Sequence, residues 1–564
     1  MILSREWQLK NTPVEDVLLP FPLLINRLLA SRGFSSEEMV RDFISSSLRH
    51  MKSPYALKDM ELAVKRLRQA FENDESVLVY GDFDLDGSSG LAILVDGLKD
   101  LGFSNISYFQ PKRLSDGYGL HAKFIETFKK QGVNLIVTVD LGITAMEAAL
   151  ECKQQGIDLI ITDNHLPKET LPDAYAVINP NRSDCDSGLG YFCGAGVGYY
   201  LLLALKMKWA ELGTPHSWDP KSSLDLLVVA ILTDMVPLKN ENRALAKHGI
   251  AHFQNTKRPA LQYLLKSLNM IGRPLSGQDI AIGFAPKLNA LSRLEQDVLP
   301  IDLFLEKDIS KAAKLTHQAI QMNDSRKDLQ SEAEEEARSL HSINQDQGFV
   351  FVYSENFHKG VIGLVATKLS QEYQVPSFVA TLAGDKLVGS ARAPNSYGGS
   401  LLDIFEKVSM HLDSFGGHKA AAGFQLKLEN TEAFRNALTK VLKDPINTTQ
   451  KVEYDIEASL SELNEDALDA LDLIGPYGTG FPVPLFFVKN LQVTSKTVMR
   501  GEHIRLQVQD KSSNRKTVLL FSPPPHAKEI GEGQEIDLLV ELQWNYYNGR
   551  KSTQLLAKDI RLRI

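Results

Sequence analysis

The chain has 564 residues, too many for a single hydrophobic core, and its 43% hydrophobic and 23% charged residues are typical of soluble globular domains. No apolar run approaches the roughly 20 residues that a membrane-spanning helix needs, and the first residues lack the apolar core of a signal peptide. We therefore expect a cytoplasmic protein without a membrane anchor. The net charge of -8 does not favour a nucleic-acid partner, although residues 485–564 carry 13 Lys and Arg against 8 Asp and Glu.

A series of alternating strands and helices occupies residues 51–250, after an N-terminal extension with short helices over residues 1–50. Short apolar runs at 77–80, 135–139 and 159–162 predict strands, and apolar residues at helical spacing lie between them. Strands that alternate with helices usually pair in parallel and are covered by helices on both faces. This part of the chain therefore predicts an α/β domain with a parallel sheet.

Three further regions complete the predicted organisation. Residues 251–340 form a helical region, and the polar, proline-free stretch from about 305 to its end predicts one long connecting helix. Residues 341–447 begin with an apolar strand and predict a second α/β domain. Residues 448–564 contain short strands separated by polar turns, which indicates a small all-β barrel.

Acidic residues follow each of the three predicted strands of the first domain. The first strand runs into residues 81–87, Gly-Asp-Phe-Asp-Leu-Asp-Gly; the second ends at Asp140, and the third at Asp163, before Asn164 and His165. Ligands of open parallel sheets bind at the carboxyl ends of the strands, so these side chains are expected to meet at one edge. Crowded carboxylates repel one another unless a cation lies between them, and oxygen ligands suit Mn²⁺ or Mg²⁺.

Each of these acids has a simpler interpretation when it is taken alone. An Asp at the end of a strand is often a turn former or a helix N-cap. Asp82, Asp84 and Asp86 also match the start of a calcium-binding EF-hand loop, but its last position would be Ile93 instead of Glu, and a strand precedes the loop. Three acidic strand ends in one series favour a metal site, at which a pair of ions could activate water for phosphodiester hydrolysis.

At these residues the sequence resembles the RecJ family of the DHH phosphoesterase superfamily. Residues 81–87 resemble its first motif, residues 139–142 the second and residues 232–238 the fourth, while residues 162–165 occupy the place of the Asp-His-His motif. The resemblance implies two Mn²⁺ or Mg²⁺ ions, with Asp140 as the bridging ligand and with Asp84, Asp140 and His165 as catalytic residues. The implied metal ligands are Asp82, Asp84, Asp86, Asp140, Asn164, His165 and Asp234.

Asn164 departs from the family pattern, because it stands where the first histidine of Asp-His-His is expected. An amide oxygen can coordinate a hard cation, but it is uncharged and lacks the imidazole nitrogen. The hypothesis is that metal binding is retained but weakened, with a preference shifted towards Mg²⁺. A natural loss of activity is the alternative.

Further segments resemble the substrate-binding parts of the family. The glycine-rich segment 415–423 resembles the signature of the DHHA1 domain, and segments 356–363 and 389–392 match at similar spacing. A tight turn is the alternative for the glycines, and a surface ion pair is the alternative for each arginine. We hypothesise that a group of four residues cradles a 5′-terminal phosphate, namely Arg113, Arg293, Ser390 and Arg392. The other implied contacts are His358, Gly416, Gly417 and His418.

Aromatic and basic residues in the predicted barrel resemble the oligonucleotide-binding (OB) fold of the same family. Tyr477, Trp544, Tyr546 and Arg550 would stack on bases and neutralise phosphates, whereas the simpler interpretation is a barrel core with a charged rim. The resemblance thus implies an α/β protein in which a parallel-sheet DHH catalytic lobe and a DHHA1 lobe are joined by a long helix and followed by an OB-fold barrel.

The implied activity is a single-stranded-DNA-specific 5′-to-3′ exonuclease that releases 5′-mononucleotides in DNA recombination and repair. A helicase and a single-strand-binding protein are the expected partners, and a monomer is the expected state. One alternative is a phosphodiesterase that acts on short oligonucleotides or cyclic dinucleotides, against which the barrel argues. The other is a single-stranded-DNA-binding scaffold with a weakened site, which Asn164 favours and the retained carboxylates oppose.

Overall fold

The computed structural model describes residues 6–11, 20–294, 298–344, 348–443, 451–499, 503–521, 523, 525–547 and 550–563. The chain forms two compact units. One contains Met1–Arg49, Leu238–Lys247 and Thr449–Ile564, and the other contains His50–Pro237 and His248–Thr448. No helix among the described residues is both long enough and apolar enough to span a membrane.

The helices and strands are numbered along the chain. The first are β1 (Glu6–Leu9), α1 (Leu23–Ser31), α2 (Glu37–Ser45), α3 (Met60–Glu72), β2 (Val77–Gly81), α4 (Leu85–Asp100), β3 (Ile106–Phe109), α5 (Ala122–Lys130), β4 (Leu135–Val139), α6 (Met146–Gln154), β5 (Asp158–Thr162) and β6 (Ala176–Ile178). A helical stretch follows, with α7 (Gly194–Leu212), α8 (Leu224–Thr233), α9 (Asn240–Gln254), α10 (Pro259–Ser267), α11 (Ala285–Arg293), α12 (Pro300–Leu305) and α13 (Ile309–Asn344). The next elements are β7 (Val350–Ser354), α14 (Ile362–Tyr373), β8 (Ser377–Ala383), β9 (Lys386–Arg392), α15 (Leu401–Val408), β10 (Ser414–Gly417), β11 (Ala421–Lys427) and α16 (Thr431–Val441). The last are β12 (Lys451–Tyr454), β13 (Ile456–Glu457), α17 (Glu465–Ile474), β14 (Phe486–Val498), β15 (Ile504–Gln509), β16 (Arg515–Leu520), α18 (Pro525–Lys528), β17 (Glu535–Tyr547) and β18 (Arg550–Leu562).

The first sheet of the larger unit is parallel throughout, with strand order β3-β2-β4-β5-β6. Every residue of β2 and β4 is buried, which is why these strands are continuous apolar runs without alternating polar positions. The three predicted strands are confirmed and lie next to one another in the sheet. Their carboxyl ends therefore share one edge, as the sequence predicted.

Helix α13 confirms the predicted long connection. Its 36 residues make it roughly 54 Å long at a rise of about 1.5 Å per residue. The helix is polar on most of its surface, and buried small side chains such as Ala312, Ala319, Ala333 and Ala337 let neighbouring elements approach it closely. It packs against α10 and α11 on one side of the connection and against α14 and β7 on the other.

The second sheet of this unit has strand order β10-β11-β9-β8-β7. Only β7 and β8 pair in parallel, and the other neighbours are antiparallel. Side chains in β11 alternate, with Ala422, Phe424 and Leu426 buried against the core of the domain. This second α/β domain was also predicted.

The smaller unit is built around the predicted C-terminal barrel. Its strands follow the order β13-β14-β15-β16-β18-β17, and pairing of β14 with β17 closes the sheet. Helices α1, α2 and α17 contribute to the same hydrophobic core, and β1 pairs in parallel with β12. The N-terminal extension is therefore an integral part of the barrel unit, a long-range contact that sequence patterns did not predict.

A buried arginine on α9 ties several segments of this unit together. Arg243 is 2% exposed, and its guanidinium donates hydrogen bonds to the carbonyl oxygens of Phe43, Ile474, Gly475 and Pro476. The guanidinium also lies over the ring of Phe43, at 3.5 Å from its centroid. Burial lowers the pKa of Arg243 to about 10, so the side chain still carries its charge at neutral pH.

We expect Arg243→Ala to lower the free energy of unfolding by about 3 kcal/mol or more, because several buried carbonyl groups would lose a charged donor. Arg243→Lys should lie between this variant and wild type, since one ammonium group cannot reach all four oxygens. Urea denaturation followed by tryptophan fluorescence measures the change. Arg41, whose side chain is 70% exposed and pairs with Glu37, is the matched control: Arg41→Ala should change stability by no more than about 0.5 kcal/mol. Equal urea midpoints for Arg243→Ala and Arg41→Ala would contradict this stabilising role of Arg243.

Candidate functional site

Three carboxylates meet at the edge where the parallel strands end. Asp82 follows β2, Asp84 lies two residues further on, and Asp140 follows β4, and one oxygen of each lies within 4.8 Å of the others. Asp82 and Asp140 are buried, and Asp84 is half-buried. The structure thus brings together the acids that the sequence placed at separate strand ends.

The backbone around Asp140 is adapted to this crowding. Asp140 has a φ of 63°, in the left-handed region that Asp tolerates better than most residues. Gly194, at the start of α7, packs directly against it, and a side chain at position 194 would collide with the Asp140 carboxylate. The glycine in this position is required by that close approach.

Asp84 and Asp86 also interact with helix N-termini. Asp84 is the N-cap of α4, and its carboxylate accepts hydrogen bonds from the backbone N–H groups of Asp86 and Gly87 at 2.9 and 3.0 Å. The carboxylate of Asp86 accepts from the N–H groups of Gly194 and Ala195 at 2.7 and 2.9 Å, at the start of α7. Both oxygens of Asp86 are therefore engaged by the positive end of a helix.

Asp163 and His165 form the next part of the site, after β5. The fully buried Asp163 accepts from the backbone N–H groups of Ile143, Asn164 and His165, and one of its oxygens lies 2.8 Å from Nδ1 of His165. The hydroxyl of Tyr118 lies 3.1 Å from the same nitrogen. Asp163 thus fixes the imidazole ring and leaves Nε2 as the nitrogen that can face a ligand.

Asn164 and Asp234 approach one another at the same edge. Nδ2 of Asn164 donates to the carbonyl oxygen of Phe192 at 3.2 Å and to Oδ2 of Asp234 at 3.4 Å. Asp234 follows directly after α8. The side chain of Asn181 donates to the carbonyl oxygen of Asn164, which helps to hold this backbone in place.

The pKa values of the acids reflect their crowding. Burial, with Asp84 as the next cause, raises the pKa of Asp82 to about 7 and that of Asp86 to about 6. Burial, followed by the charges of Asp86 and Asp84, raises the pKa of Asp140 well above its usual range. Burial and then Asp86 raise the pKa of Asp234 to about 8. Without a compensating positive charge, this cluster therefore favours the uptake of protons.

The pKa of His165 is raised as well, but in a base a raised pKa favours the charged form. Burial lowers its pKa, but the hydrogen bond and the negative charge of Asp163, followed by the charges of Asp86 and Asp234, outweigh burial and raise it to about 9. The imidazole therefore adds one positive charge beside the carboxylates at neutral pH. One such charge does not balance the negative side chains around it.

These residues fit a divalent cation. Oδ1 of Asp82 and Oδ1 of Asn164 are buried and have no hydrogen-bond partner among the described residues. Buried oxygen atoms without donors are costly unless a ligand satisfies them. Carboxylate and amide oxygens are the donors that Mg²⁺ and Mn²⁺ prefer, so the donor set agrees with the predicted metals.

An arginine cluster lies beside the acids. Burial lowers the pKa of Arg293 to about 10, and the next causes are the positive charges of Arg113, Arg326 and Arg392. Burial also lowers the pKa of Arg113, which the charges of Asp84 and Asp82 oppose. In the described part of the chain, no carboxylate forms an ion pair with Arg113, Arg293 or Arg392. The guanidinium groups of these half-buried arginines are therefore free of carboxylate partners among the described residues, and guanidinium groups suit the binding of a phosphate.

Ser390 contacts one arginine of this cluster. Its Oγ accepts a hydrogen bond from Nη1 of Arg392 at 2.8 Å. A Cβ atom at Gly363 would lie 3.1 Å from Arg392 and 3.2 Å from this hydroxyl, so the glycine leaves space over both. Arg326, on α13, had no recognisable motif and was not predicted to join this cluster.

The glycine-rich segment of the second domain forms an exposed edge strand. All four residues of β10 are exposed, and so is His418. A Cβ atom at Gly416 would meet no atom within 4 Å, whereas at Gly417 it would collide with the backbone of Ala421 and Ala422, and φ there is 146°. Gly417 is thus required by the turn, while Gly416 leaves open space. Nδ1 of His358 accepts from the N–H of Gly360 within its own loop.

The predicted barrel contacts have mostly internal partners. The hydroxyl of Tyr477 donates to the carbonyl oxygen of Leu471, and its ring stacks on Phe481 at 5.5 Å. Nε1 of Trp544 donates to Asp472, and Nζ of Lys551 lies 3.5 Å from the centre of its ring. The side chain of Tyr546 is 38% exposed, and that of Arg550 lies outside the described residues.

Comparisons with known proteins agree with this architecture. Residues 76–231 match the DHH family, N-terminal domain; residues 346–444 match the DHHA1 domain; and residues 454–559 match the RecJ OB domain. The matched segments are the parallel-sheet domain, the second α/β domain and the closed barrel.

Relatives that match almost the whole chain carry one name. The single-stranded-DNA-specific exonuclease RecJ of Salmonella typhimurium is 31% identical over 582 residues, covering 99% of this chain and 100% of the relative. The protein of the same name from Bacillus subtilis is 30% identical, over 95% of this chain and 67% of the relative.

Solved structures give the same result. The structure of RecJ from Thermus thermophilus in complex with Mn²⁺ has a TM-score of 0.82 at 25% identity and covers 100% of this chain and 80% of that one. A structure of exonuclease RecJ bound to manganese has a TM-score of 0.59 at 29% identity, over 69% of this chain and 95% of that one. The chain belongs to the RecJ family of single-stranded-DNA-specific exonucleases.

Proposed function

We propose that this protein is a metal-dependent exonuclease that degrades single-stranded DNA from its 5′ end and releases 5′-mononucleotides. The observation that carries this proposal is the adjacency of two clusters of opposite charge. Asp82, Asp84 and Asp140 would hold cations, and arginines that lack an anionic partner among the described residues lie beside them. A terminal phosphate bound by the arginines would place the next phosphodiester bond at the carboxylates.

The proposed cofactors are two Mn²⁺ or Mg²⁺ ions. Asp82, Asp84 and Asp140 would form one position, and Asp234 and Asn164 would contribute to the other. Asp86 is assigned a supporting role, because both of its oxygens already accept from the N-terminus of α7. When bound, such ions supply an activated water and neutralise charge on the reacting phosphate.

The side chains of the chain itself position the substrate. Arg113, Arg293 and Arg392 would form charge-assisted hydrogen bonds to the terminal phosphate, and Ser390 would add a neutral donor. His165, fixed through Nδ1 by Asp163, would use Nε2 to orient the scissile phosphate or the attacking water. Selection of a chain end would follow from the arginine cluster, because an internal phosphodiester lacks the additional negative charge.

Contacts further along the DNA are proposed for His358, Gly416, Gly417 and His418, and for the barrel residues Tyr477, Trp544, Tyr546 and Arg550. Open space at Gly416 supports close approach of a strand to the backbone. In the barrel, Tyr546 and the edge of Trp544 are better candidates for base stacking than the internally stacked Tyr477. A role in recombination and repair in the cytoplasm, as a monomer assisted by a helicase and a single-strand-binding protein, extends the proposal by family analogy.

We expect Asp140→Asn to lower kcat/KM on 5′-phosphorylated single-stranded DNA by more than about 100-fold, because loss of even an outer partner of a metal ligand typically costs on the order of 10- to 100-fold. Release of mononucleotides from a 5′-labelled strand measures the change, in Mn²⁺ and in Mg²⁺. Asp173→Asn is the matched control, since Asp173 is exposed and pairs only with Lys153 among the described residues. Turnover by Asp140→Asn equal to that of the control would refute the proposed site.

Stability of the metal-free protein should depend on pH through Asp82. Its pKa is about 7 in the folded protein, against roughly 3.9 in an unfolded chain, so between these values the folded state holds a proton that the unfolded state has lost. The free energy of unfolding should therefore fall as the pH rises from about 4 to about 7, and this fall should be smaller for Asp82→Asn, in which only the other carboxylates with raised pKa values, such as Asp86, still contribute. Thermal unfolding after EDTA treatment measures both proteins. If the difference in stability between wild type and Asp82→Asn did not change with pH, the raised pKa of Asp82 would be contradicted.

Arg392→Ala should weaken the preference for a 5′-phosphorylated strand over a 5′-hydroxyl strand by roughly 10- to 100-fold, the value of one lost hydrogen bond to a charged group. The ratio of kcat/KM for the two strands, measured for each variant, reports this preference. Arg68→Ala provides the control, because the half-buried Arg68 lies on α3, with its side chain 42% exposed, and pairs with Glu72. An unchanged ratio for Arg392→Ala would exclude Arg392 from the phosphate pocket.

A further inference from the structure

The amide of Asn164 is held in one orientation. Its Nδ2 donates to the carbonyl oxygen of Phe192, and rotation of the amide by half a turn would bring two oxygens together instead. The same Nδ2 lies 3.4 Å from Oδ2 of Asp234. Oδ1 is therefore the only atom of this side chain that can face a cation.

This oxygen has no other role among the described residues. Oδ1 of Asn164 is buried and accepts no hydrogen bond, although the backbone on either side is held by Asn181 and Asp163. A ligand cation would satisfy it. An amide oxygen carries no net charge, however, so it attracts a cation less strongly than a carboxylate does.

The carboxylate of Asp234 is partly engaged by the same amide. Its Oδ2 already accepts a hydrogen bond from Nδ2 of Asn164 at 3.4 Å. A cation that enters on this side competes with that hydrogen bond. By contrast, oxygens of Asp82, Asp84 and Asp140 lie within 4.8 Å of one another, and Oδ1 of Asp82 has no donor within the described part of the chain.

We infer that the two cation positions of this protein differ in affinity. The position at Asp82, Asp84 and Asp140, here called the acidic position, binds a divalent ion tightly. The position at Asn164 and Asp234, called the amide position, binds its ion weakly and fills only at higher metal concentration. Because Asn164 and Asp234 both offer oxygen atoms, these two ligands discriminate little between Mn²⁺ and Mg²⁺. This inference rests on the metal ligands proposed above and adds an order of filling.

Binding of Mn²⁺ to the metal-free, full-length protein tests the inference without any substrate. Electron paramagnetic resonance of free Mn²⁺ during a titration gives the number of bound ions and their dissociation constants. We expect two ions whose dissociation constants differ by at least about tenfold, the lower end of the cost of an impaired metal ligand. Asp234→Asn should abolish the weaker event and retain the tighter one. Two equal events in the wild-type protein would overturn the inference.

Asn164→His provides the complementary test. An imidazole nitrogen favours Mn²⁺ over Mg²⁺ more than an amide oxygen does, so the variant should tighten the weaker Mn²⁺ event and raise its selectivity against Mg²⁺ in competition. Asn105→His is the matched control, because Asn105 is exposed just before β3, at the opposite edge of the same sheet. An effect of Asn164→His no larger than that of the control would also overturn the inference.

Nuclease assays on the same samples separate this inference from the proposed function. Unequal binding in a wild-type protein that degrades no DNA with either ion would support the inference and contradict the exonuclease activity. Equal binding in an active enzyme would contradict the inference alone. In an active enzyme with unequal sites, the metal concentration that gives half-maximal activity should follow the weaker dissociation constant.

Discussion

Mutual repulsion among carboxylates at one edge of a buried sheet is the constraint on which the rest of this structure depends. Parallel pairing of β2, β4 and β5 brings their carboxyl ends together, and with them Asp82, Asp140 and Asp163. Burial raises the cost of each negative charge. Most of these groups cannot move apart, because the strands that carry them are themselves the core of the domain.

Backbone groups offset part of that repulsion before any ion binds. The start of α7 donates two N–H groups to Asp86, and the start of α4 donates two to Asp84. Asp163 accepts from three backbone N–H groups. Because these donors are fixed by helices and turns, the carboxylates are held in place at little entropic cost. The arginines beside them add positive charge next to the acidic cluster.

The sequence predicted the strands and the acidic edge because both depend on local patterns: apolar runs of fixed length, each followed by an acid. It could not predict that the carboxylate of Asp86 accepts hydrogen bonds from the start of α7, since that contact depends on a helix more than a hundred residues later. The positions of Arg326 and Arg243 also depend on contacts between distant segments, so no local motif marks either residue. Tyr477 was predicted as a substrate contact from its aromatic character, but only the packed structure reveals its stacking on Phe481.

Asn164 shows how such a site can change without disturbing the fold. The backbone at this position is held by Asn181, Asp163 and the end of β5, and none of these interactions uses the side chain of residue 164. Among the described residues, the side chain itself donates only to the carbonyl oxygen of Phe192 and to Asp234, both at the metal edge. Substitution here therefore alters the charge and donor type offered to a cation while leaving the positions of Asp82, Asp84 and Asp140 unchanged. The proposed amide position can thus change its affinity without changing that of the acidic position, because backbone hydrogen bonds, and not the side chain of residue 164, hold both in place.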